Sequence, residues 1–169
     1  MDQLFVKIAA GEIPSSKIYE DSLTFAFLDI NPLSTGHCLV IPKKKYTKID
    51  EVPPATAKAL GETVAKVANA VKIATGCSDY NVLQNNGKAA HQEVPHVHFH
   101  IIPKNENEGL GVNWKSDKIS NAEETQKKII DALNSLKDKN RLSRDVVPRN
   151  YQVSLKPDFT TFKFDGVVV

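Results

Sequence analysis

Three histidines, His96, His98 and His100, alternate with apolar residues in this 169-residue chain. Because side chains point to alternate faces of a β-strand, a strand here would place the three imidazoles on one surface and Val97 and Phe99 on the other. Burying three imidazoles in a row is unfavourable unless each is hydrogen-bonded. The spacing therefore predicts a strand whose histidines face a cavity in which an anionic ligand binds.

The residues around this strand predict an α+β fold. The clearest helix covers residues 54–75, where apolar residues recur at intervals of three and four and Gly76 is placed to cap the C-terminus. Because strands come partly in adjacent pairs and helices are few, the sheet is expected to be mainly antiparallel, with two main helices. The predicted elements are helices at 3–13, 54–75 and 121–138 and strands at 17–21, 23–30, 37–42, 80–84 and 94–102.

Composition and charge exclude several classes of function. Net charge is +2, from 22 Lys and Arg against 20 Asp and Glu, which is too balanced for a surface that coats nucleic acid. No apolar run approaches the roughly 18 residues of a membrane-spanning helix, and the first residues lack the pattern of a secretory signal. The two cysteines, Cys38 and Cys77, are far apart and form no CxxC motif. We therefore expect no nucleic-acid or membrane partner and a reducing compartment, the cytoplasm or also the nucleus.

The composition changes after residue 140. Residues 141–145 are polar and unpatterned, which is typical of a linker. Residues 151–155 and 162–164 alternate like strands, and residues 156–158, Lys-Pro-Asp, are expected to form the turn between them. The sequence thus predicts one domain over residues 1–140 and a separate C-terminal extension over residues 141–169.

Two kinds of chemistry fit the histidine strand. Three imidazoles bind zinc in some enzymes, but such sites usually have carboxylate partners, and Glu93 is the one obvious candidate nearby. A neutral imidazole can also attack phosphorus and form a covalent intermediate. Residues 85–93 are rich in Gly, Ala and side-chain amides, so backbone N–H groups could approach a phosphate closely, and Gln92 adds donors. The loop favours nucleophilic catalysis on a phosphate, with neither metal nor cofactor.

Two segments resemble the motifs of the histidine-triad (HIT) superfamily. They are residues 36–43, Gly-His-Cys-Leu-Val-Ile-Pro-Lys, and residues 92–103, Gln-Glu-Val-Pro-His-Val-His-Phe-His-Ile-Ile-Pro. Further likeness to the Hint branch lies at residues 5–8, 12–14, 19–21 and 109–114, and the resemblance covers about residues 4–138. It implies a purine nucleoside phosphoramidase that hydrolyses adenosine 5′-monophosphoramidates to AMP and an amine. It also implies a homodimer in which one sheet continues across two protomers.

The resemblance assigns roles to residues. His98 is implied to be the nucleophile, held by a hydrogen bond from its Nδ1–H to the backbone carbonyl of His96. His100 and His37 are implied to lie near the phosphate, and Asp29 to accept from the ribose hydroxyls. Implied phosphate-side contacts are Asn85, Gln92 and the amide of Val94, and the implied apolar base pocket is Phe5, Ile8, Ile13, Phe27 and Ile30.

This chain departs from many Hint relatives at two positions beside Gln92. It has His91 where they have glycine, and Glu93 where they often have a hydroxyl side chain. A hydroxyl can donate a hydrogen bond to a departing amine, whereas an ionised carboxylate cannot and repels phosphate. Glu93 therefore leaves the contacts of the leaving group open.

Several alternatives stay open from the sequence. The same nucleophile would serve a Fhit-like dinucleoside polyphosphate hydrolase, and the triad could persist in a nucleotide-binding regulatory or scaffold module or in a zinc protein. About 23 residues of the tail, within 147–166, weakly resemble the first strands of gluzincin-type zinc aminopeptidases. The HExxH zinc motif is absent from the sequence, so that likeness implies no peptidase activity.

Overall fold

The computed structural model describes residues 3–112, 116, 120–139, 153–158 and 163–168. The chain divides into two compact units, residues 1–113 and residues 114–169, which are taken separately below. The last two residues of the Hint-like segment, Asn113 and Trp114, and the predicted linker at 141–145 lie outside the described residues. The predicted domain boundary at residue 140 stays a prediction.

The first unit contains a five-stranded antiparallel sheet and two helices. The sheet order is β1-β2-β3-β5-β4, with β1 and β4 at the edges. This confirms the α+β fold with a mainly antiparallel sheet. The elements are α1 (Leu4–Ala9), β1 (Lys17–Glu20), β2 (Thr24–Leu28), β3 (Cys38–Pro42), α2 (Pro54–Thr75), β4 (Asp79–Gln84) and β5 (Phe99–Lys104).

Short polar contacts explain where these elements begin and end. The Asp21 carboxylate accepts from the backbone N–H groups of Leu23 at 2.8 Å and Thr24 at 2.7 Å, which fixes the turn between β1 and β2. The hydroxyl of Thr24 is hydrogen-bonded to that of Thr63 at 2.8 Å in a buried contact that joins β2 to α2. Helix α2 ends at Gly76, whose φ of 70° is the left-handed conformation expected of a C-terminal cap.

The sheet is buried on both faces at β2 and β3, which carry apolar residues at successive positions. Ala26, Cys38 and Val40 pack under α2, whereas their neighbours along the strands pack on the opposite face, beside α1. The cluster under α2 is completed by Leu60, Val67, Ala68, Val71, Val97 and Ile101. The cluster beside α1, called the α1 cluster below, consists of Phe5, Ile8, Phe25, Phe27, Leu39 and Ile41.

The histidine strand is shorter than its alternation predicts. The β5 ladder begins at Phe99, so the expected strand over residues 94–102 is wrong for its first five residues. Pro95 has no N–H to donate, the N–H of His96 donates to the carbonyl of Val94 at 2.8 Å, and the N–H of Val97 donates to the carbonyl of Tyr46 at 2.7 Å. These two backbone bonds lie outside the ladder and take the place of ladder bonds before β5.

The second unit holds a helix and a hairpin. Helix α3 spans Ala122–Lys139, and β6 (Val153–Asp158) pairs with β7 (Lys163–Val168) in antiparallel register. The expected turn at residues 156–158 is wrong, because these residues belong to β6 and Pro157 pairs with Phe164. A two-stranded ribbon has two edges, and proline is tolerated on strand edges. Within the described residues, no helix combines the length and apolar character needed to cross a bilayer.

Candidate active site

The ring of His98 is oriented by a backbone carbonyl. Its ring is buried, and Nδ1 lies 2.6 Å from the carbonyl oxygen of His96, which can only accept. The proton of the neutral ring is therefore on Nδ1, and Nε2 keeps its lone pair. Burial lowers the pKa of His98, although the His96 carbonyl and the charges of Asp29 and Glu93 oppose that effect. The ring is thus neutral near pH 7, as a nucleophile must be.

The imidazole of His96 has a structural position. It is 1% exposed, and its Nε2–H donates to the carbonyl of Pro42 at 2.8 Å. Its Nδ1 has no hydrogen-bond partner among the described residues, and burial lowers its pKa. The structure therefore corrects the expectation that all three imidazoles face a cavity. His96 serves the site through its backbone carbonyl, and its ring anchors the segment that precedes β5.

The Leu33 N–H, His37 and His100 form a chain of two hydrogen bonds in which the donor and the acceptor of each bond are fixed. The backbone N–H of Leu33 donates to Nδ1 of His37 at 3.0 Å, so the His37 proton is on Nε2. That Nε2 lies 3.0 Å from Nδ1 of His100, which must then accept, and the His100 proton is on Nε2. Burial lowers the pKa of His37. Burial, aided by the charges of His98 and His37, lowers the pKa of His100 to about 4.

Asp29 lies beside these two rings. Its N–H donates to the carbonyl of His37 at 3.0 Å, which continues the pairing of β2 with β3 by one residue. One carboxylate oxygen, Oδ2, is 3.5 Å from Nε2 of His37 and 3.9 Å from Nδ1 of His100. The other oxygen accepts from the N–H of Asn31 at 2.9 Å. The negative charge of Asp29 therefore raises the pKa of both rings and partly offsets the effect of burial. The carboxylate is partly exposed, so that a ligand hydroxyl can reach it.

The loop before the histidines is shaped by Gln92. This side chain is buried, its Oε1 accepts from the N–H of Gly87 at 2.7 Å, and its Nε2 donates to the carbonyl of Thr47 at 2.7 Å. Gln92 therefore links the backbone of Gly87 to that of Thr47, and both the oxygen and the nitrogen of its amide are hydrogen-bonded. Asn85 is partly exposed, and its Nδ2 donates to the carbonyl of His91 at 3.3 Å. Glu93 is exposed, close enough to His98 for its charge to raise the pKa of that ring.

Most of the expected base pocket lies in one apolar cluster. Phe5 contacts Phe27 and His98 edge-on, with ring centroids 5.6 Å and 5.3 Å apart. Ile8 belongs to the same α1 cluster, and Ile13 and Val94 pack against it. Ile30 lies outside the cluster and is 90% exposed, next to Asp29 in sequence. The structure thus brings Phe5, Ile8, Ile13 and Phe27 together and leaves Ile30 apart.

The site contains a triangle of possible metal ligands. Donor atoms of Asp29, His37 and His100 all lie within 4.8 Å of one another, which is the spacing of two imidazoles and a carboxylate around one ion. However, a metal on Nε2 of His37 would need the proton on Nδ1, and that atom accepts from the N–H of Leu33. Metal-bound histidines normally donate from their second nitrogen. The hydrogen-bond directions therefore do not fit a resident metal.

Several site-forming groups carry no signal in the sequence. The backbone N–H of Leu33 and the carbonyls of Pro42 and Thr47 orient His37, His96 and Gln92 respectively. Any residue except proline supplies such an N–H, and every residue supplies a carbonyl, so residue type gives no hint. The nearby Cys38 is buried, and burial together with Asp29 raises the pKa of its thiol to about 12. It is not a thiolate nucleophile.

The sequence and fold of this chain are similar to those of known proteins. A HIT domain model matches residues 10–107. The adenosine 5′-monophosphoramidase hnt1 of Schizosaccharomyces pombe is 51% identical over 121 residues, which cover 71% of this chain and 88% of the relative. The adenylylsulfatase HINT3 of Arabidopsis thaliana is 44% identical over 118 residues, covering 70% and 58%. A histidine triad nucleotide-binding protein from Candida albicans, solved by crystallography, is 38% identical with a TM-score of 0.67, covering 82% and 99%. The chain belongs to the HIT domain family.

Proposed function

We propose that this protein is a purine nucleoside phosphoramidase that hydrolyses adenosine 5′-monophosphoramidates to AMP and an amine. The observation that carries the proposal is the hydrogen bond from Nδ1–H of His98 to the carbonyl of His96, which leaves Nε2 as a free nucleophile. The relatives named as an adenosine 5′-monophosphoramidase and an adenylylsulfatase, at 51% and 44% identity, support adenylyl chemistry.

The reaction takes place in two displacements at phosphorus. Nε2 of His98 attacks the α-phosphorus and a bond between Nε2 and phosphorus forms, while the phosphorus–nitrogen bond breaks and the departing amine takes a proton from solvent. Water then attacks the same phosphorus and gives a proton back to solvent, the bond to Nε2 breaks, and AMP leaves with the oxygen of that water. His98 regains its starting tautomer because Nδ1–H stays bound to the His96 carbonyl throughout.

The remaining groups bind the nucleotide and stabilise charge. His100 carries its proton on Nε2 and can donate it to a phosphate oxygen without leaving its contact with His37. Asp29 can accept from the ribose hydroxyls, and partly buried Ile13, which packs against the buried α1 cluster, is proposed to contact the base. Asn85 and the amide of Val94 stay proposed phosphate contacts, and Gln92 holds their loop in shape.

The test is AMP release from an AMP–lysine conjugate in the presence of EDTA, with wild type and His98→Ala run side by side. Release by wild type alone supports metal-free nucleophilic catalysis. Equal release by both proteins would contradict the assigned nucleophile. No release by wild type, with release from a diadenosine polyphosphate instead, would favour the Fhit-like alternative. Nucleotide binding without turnover of either substrate would favour a regulatory module.

We also propose a homodimer in which the sheet continues through β4. This edge strand exposes Tyr80 and Val82, at 39% and 47%. The opposite edge, β1, exposes Ile18 at 40% but also carries an ion pair between Lys17 and Glu20 at 3.1 Å. An edge strand with exposed apolar side chains offers unpaired backbone groups with which another chain can pair. Sedimentation of wild type as a dimer, and of Val82→Lys as a monomer, is the expected result. A monomeric wild type would contradict the proposal.

A further inference from the structure

The backbone at Leu33 and Thr35 is held by a segment distant in sequence. The Leu33 N–H donates to Nδ1 of His37 at 3.0 Å, and the Leu33 carbonyl accepts from the N–H of Gly109 at 3.0 Å. Two residues later, the N–H of Thr35 donates to a carboxylate oxygen of Glu108 at 3.0 Å. Residues 108 and 109 therefore clamp the loop whose amide faces His37.

Glycine is required at position 109 for this clamp. Its φ is +102°, a conformation that other residues rarely adopt, and a Cβ atom there would lie 2.6 Å from the carbonyl oxygen of Pro103 and 3.2 Å from Cα of Lys104. Both neighbours are backbone atoms at the end of β5. A larger residue at position 109 must therefore displace the N–H that holds Leu33.

We propose that Glu108 and Gly109 are positioning residues that fix the tautomers of His37 and His100 by holding the backbone on the C-terminal side of Leu33, whose N–H faces His37. The inference rests on the proposed function for its catalytic consequence. Because the Leu33 N–H can only donate, Nδ1 of His37 must accept, its Nε2–H must donate to His100, and His100 must carry its proton on Nε2.

The opposite tautomer would harm phosphate binding. If the Leu33 amide moved away, His37 could hold its proton on Nδ1 and present a lone pair on Nε2 to His100. His100 would then donate from Nδ1, and its own Nε2 would be a lone pair. A lone pair facing a phosphate oxygen repels it, whereas an N–H attracts it. The clamp at residues 108 and 109 thus determines whether His100 is a donor in the active site.

The test is ¹⁵N NMR of the histidine rings in wild type and variants, which distinguishes protonated from unprotonated ring nitrogens without any substrate. In wild type we expect the proton on Nε2 for His37 and His100 and on Nδ1 for His98. Glu108→Ala should give mixed tautomers for His37 and His100, and Gly109→Ala a larger change, while the His98 signals stay constant and report an intact fold. Glu108→Gln should restore the wild-type pattern because its amide oxygen can accept from Thr35.

The kinetic readout is kcat and KM for the AMP–lysine conjugate. Glu108→Ala should lower kcat about 10-fold, within the range for a misplaced catalytic group, with rescue by Glu108→Gln. Glu106→Ala, which removes an exposed carboxylate of the same loop, is the matched control and should behave as wild type. A wild-type His37 proton on Nδ1, or unchanged tautomers in both Glu108→Ala and Gly109→Ala, would overturn the inference. If wild type turns over no phosphoramidate but the tautomers respond as expected, the proposed function fails and the positioning role stands.

Discussion

The Nδ1–H of His98 donates across 2.6 Å to the carbonyl oxygen of His96, the residue two positions before it. Because this contact joins residues so close in sequence, the orientation of the His98 ring depends on the path of the chain from Val94 to Phe99. That path is irregular: the N–H groups of His96 and Val97 bond to Val94 and Tyr46 outside the ladder. The departure from regular strand geometry is what turns the His96 carbonyl towards the His98 ring.

Acid should destabilise the fold through its buried histidines. The pKa of His100 is about 4 in the folded protein and near 6.5 when unfolded, so between those values the unfolded chain binds a proton that the folded chain does not. The free energy of unfolding should therefore fall as pH decreases from 6.5 to 4, by up to about 3 kcal/mol from His100 alone. Urea unfolding at pH 7.5 and 4.5 measures the change.

The matched variants separate His100 from other acid effects. His100→Asn keeps an acceptor near the position of Nδ1 and should show a smaller loss of stability in acid. His91→Asn replaces an exposed histidine whose φ of 62° asparagine tolerates, and it should keep the wild-type dependence. Identical pH dependence in wild type and His100→Asn would contradict the assignment.

Binding of a phosphate should bring a proton into the site. His37, His98 and His100 are neutral near pH 7 because burial lowers the pKa of each, and an adjacent anion favours the charged imidazole. We expect proton uptake when an AMP methyl ester binds, since its phosphate has no group that titrates near neutrality. Calorimetry at pH 6.5 in buffers of different ionisation enthalpy measures the uptake. His100→Asn should reduce it, and equal heats in all buffers for wild type would contradict it.

Asp29 should act mainly on the ribose. Loss of a hydrogen bond to a charged acceptor amounts to about 1.5–3 kcal/mol, so Asp29→Asn should raise KM for the AMP–lysine conjugate roughly 10- to 100-fold. The same variant should have little effect on the 2′,3′-dideoxy conjugate, which has no hydroxyl to donate. Steady-state kinetics on both substrates provides the test. An equal increase of KM on both substrates would instead indicate that Asp29 acts on the charge of His37 and His100, whose ring nitrogens lie 3.5 Å and 3.9 Å from its Oδ2.

Glu93 should select for amine leaving groups. Its exposed carboxylate lies near His98 and can attract a departing ammonium group and repel an anion. Glu93→Gln should lower kcat/KM for the AMP–lysine conjugate about 10-fold and raise it for adenosine 5′-phosphosulfate, whose leaving group is sulfate. Glu106→Gln, which neutralises an exposed carboxylate elsewhere, is the control. A parallel change with both substrates would rule out a role in leaving-group choice.

Helices and strands could be predicted from the sequence because the residues that they bury recur at regular intervals. The apolar spacing of α2 and Gly76 at its end predicted the observed bounds of the helix, and the successive apolar residues of β2 and β3 are buried on both faces of the sheet. The expected alternation did not predict the start of β5, because Pro95 has no N–H and the N–H groups of His96 and Val97 bond to carbonyls outside the ladder. It also failed in the tail, where Pro157 lies within β6.

The site was predictable in its side chains but not in its backbone groups. The spacing of two residues predicted that His98 and His100 lie close together, and their ring centroids are 4.9 Å apart. The pairing of β2 with β3 continues by one residue and places Asp29 beside His37. The direction of each hydrogen bond depends on the Leu33 amide and the Pro42 carbonyl, which residue type does not reveal. Gln92 illustrates the difference: its amide was expected to bind phosphate, and in the structure both ends bind backbone.

The most direct measurement is mass spectrometry of the protein after rapid quenching of its reaction with the AMP–lysine conjugate. We expect an adenylyl group on Nε2 of His98 that forms within a single turnover and decays as AMP appears. His98→Ala should carry no adduct, and exposed His91 should stay unmodified in wild type. AMP production with no adduct at any quench time, or with the adduct on another residue, would contradict the role assigned to His98.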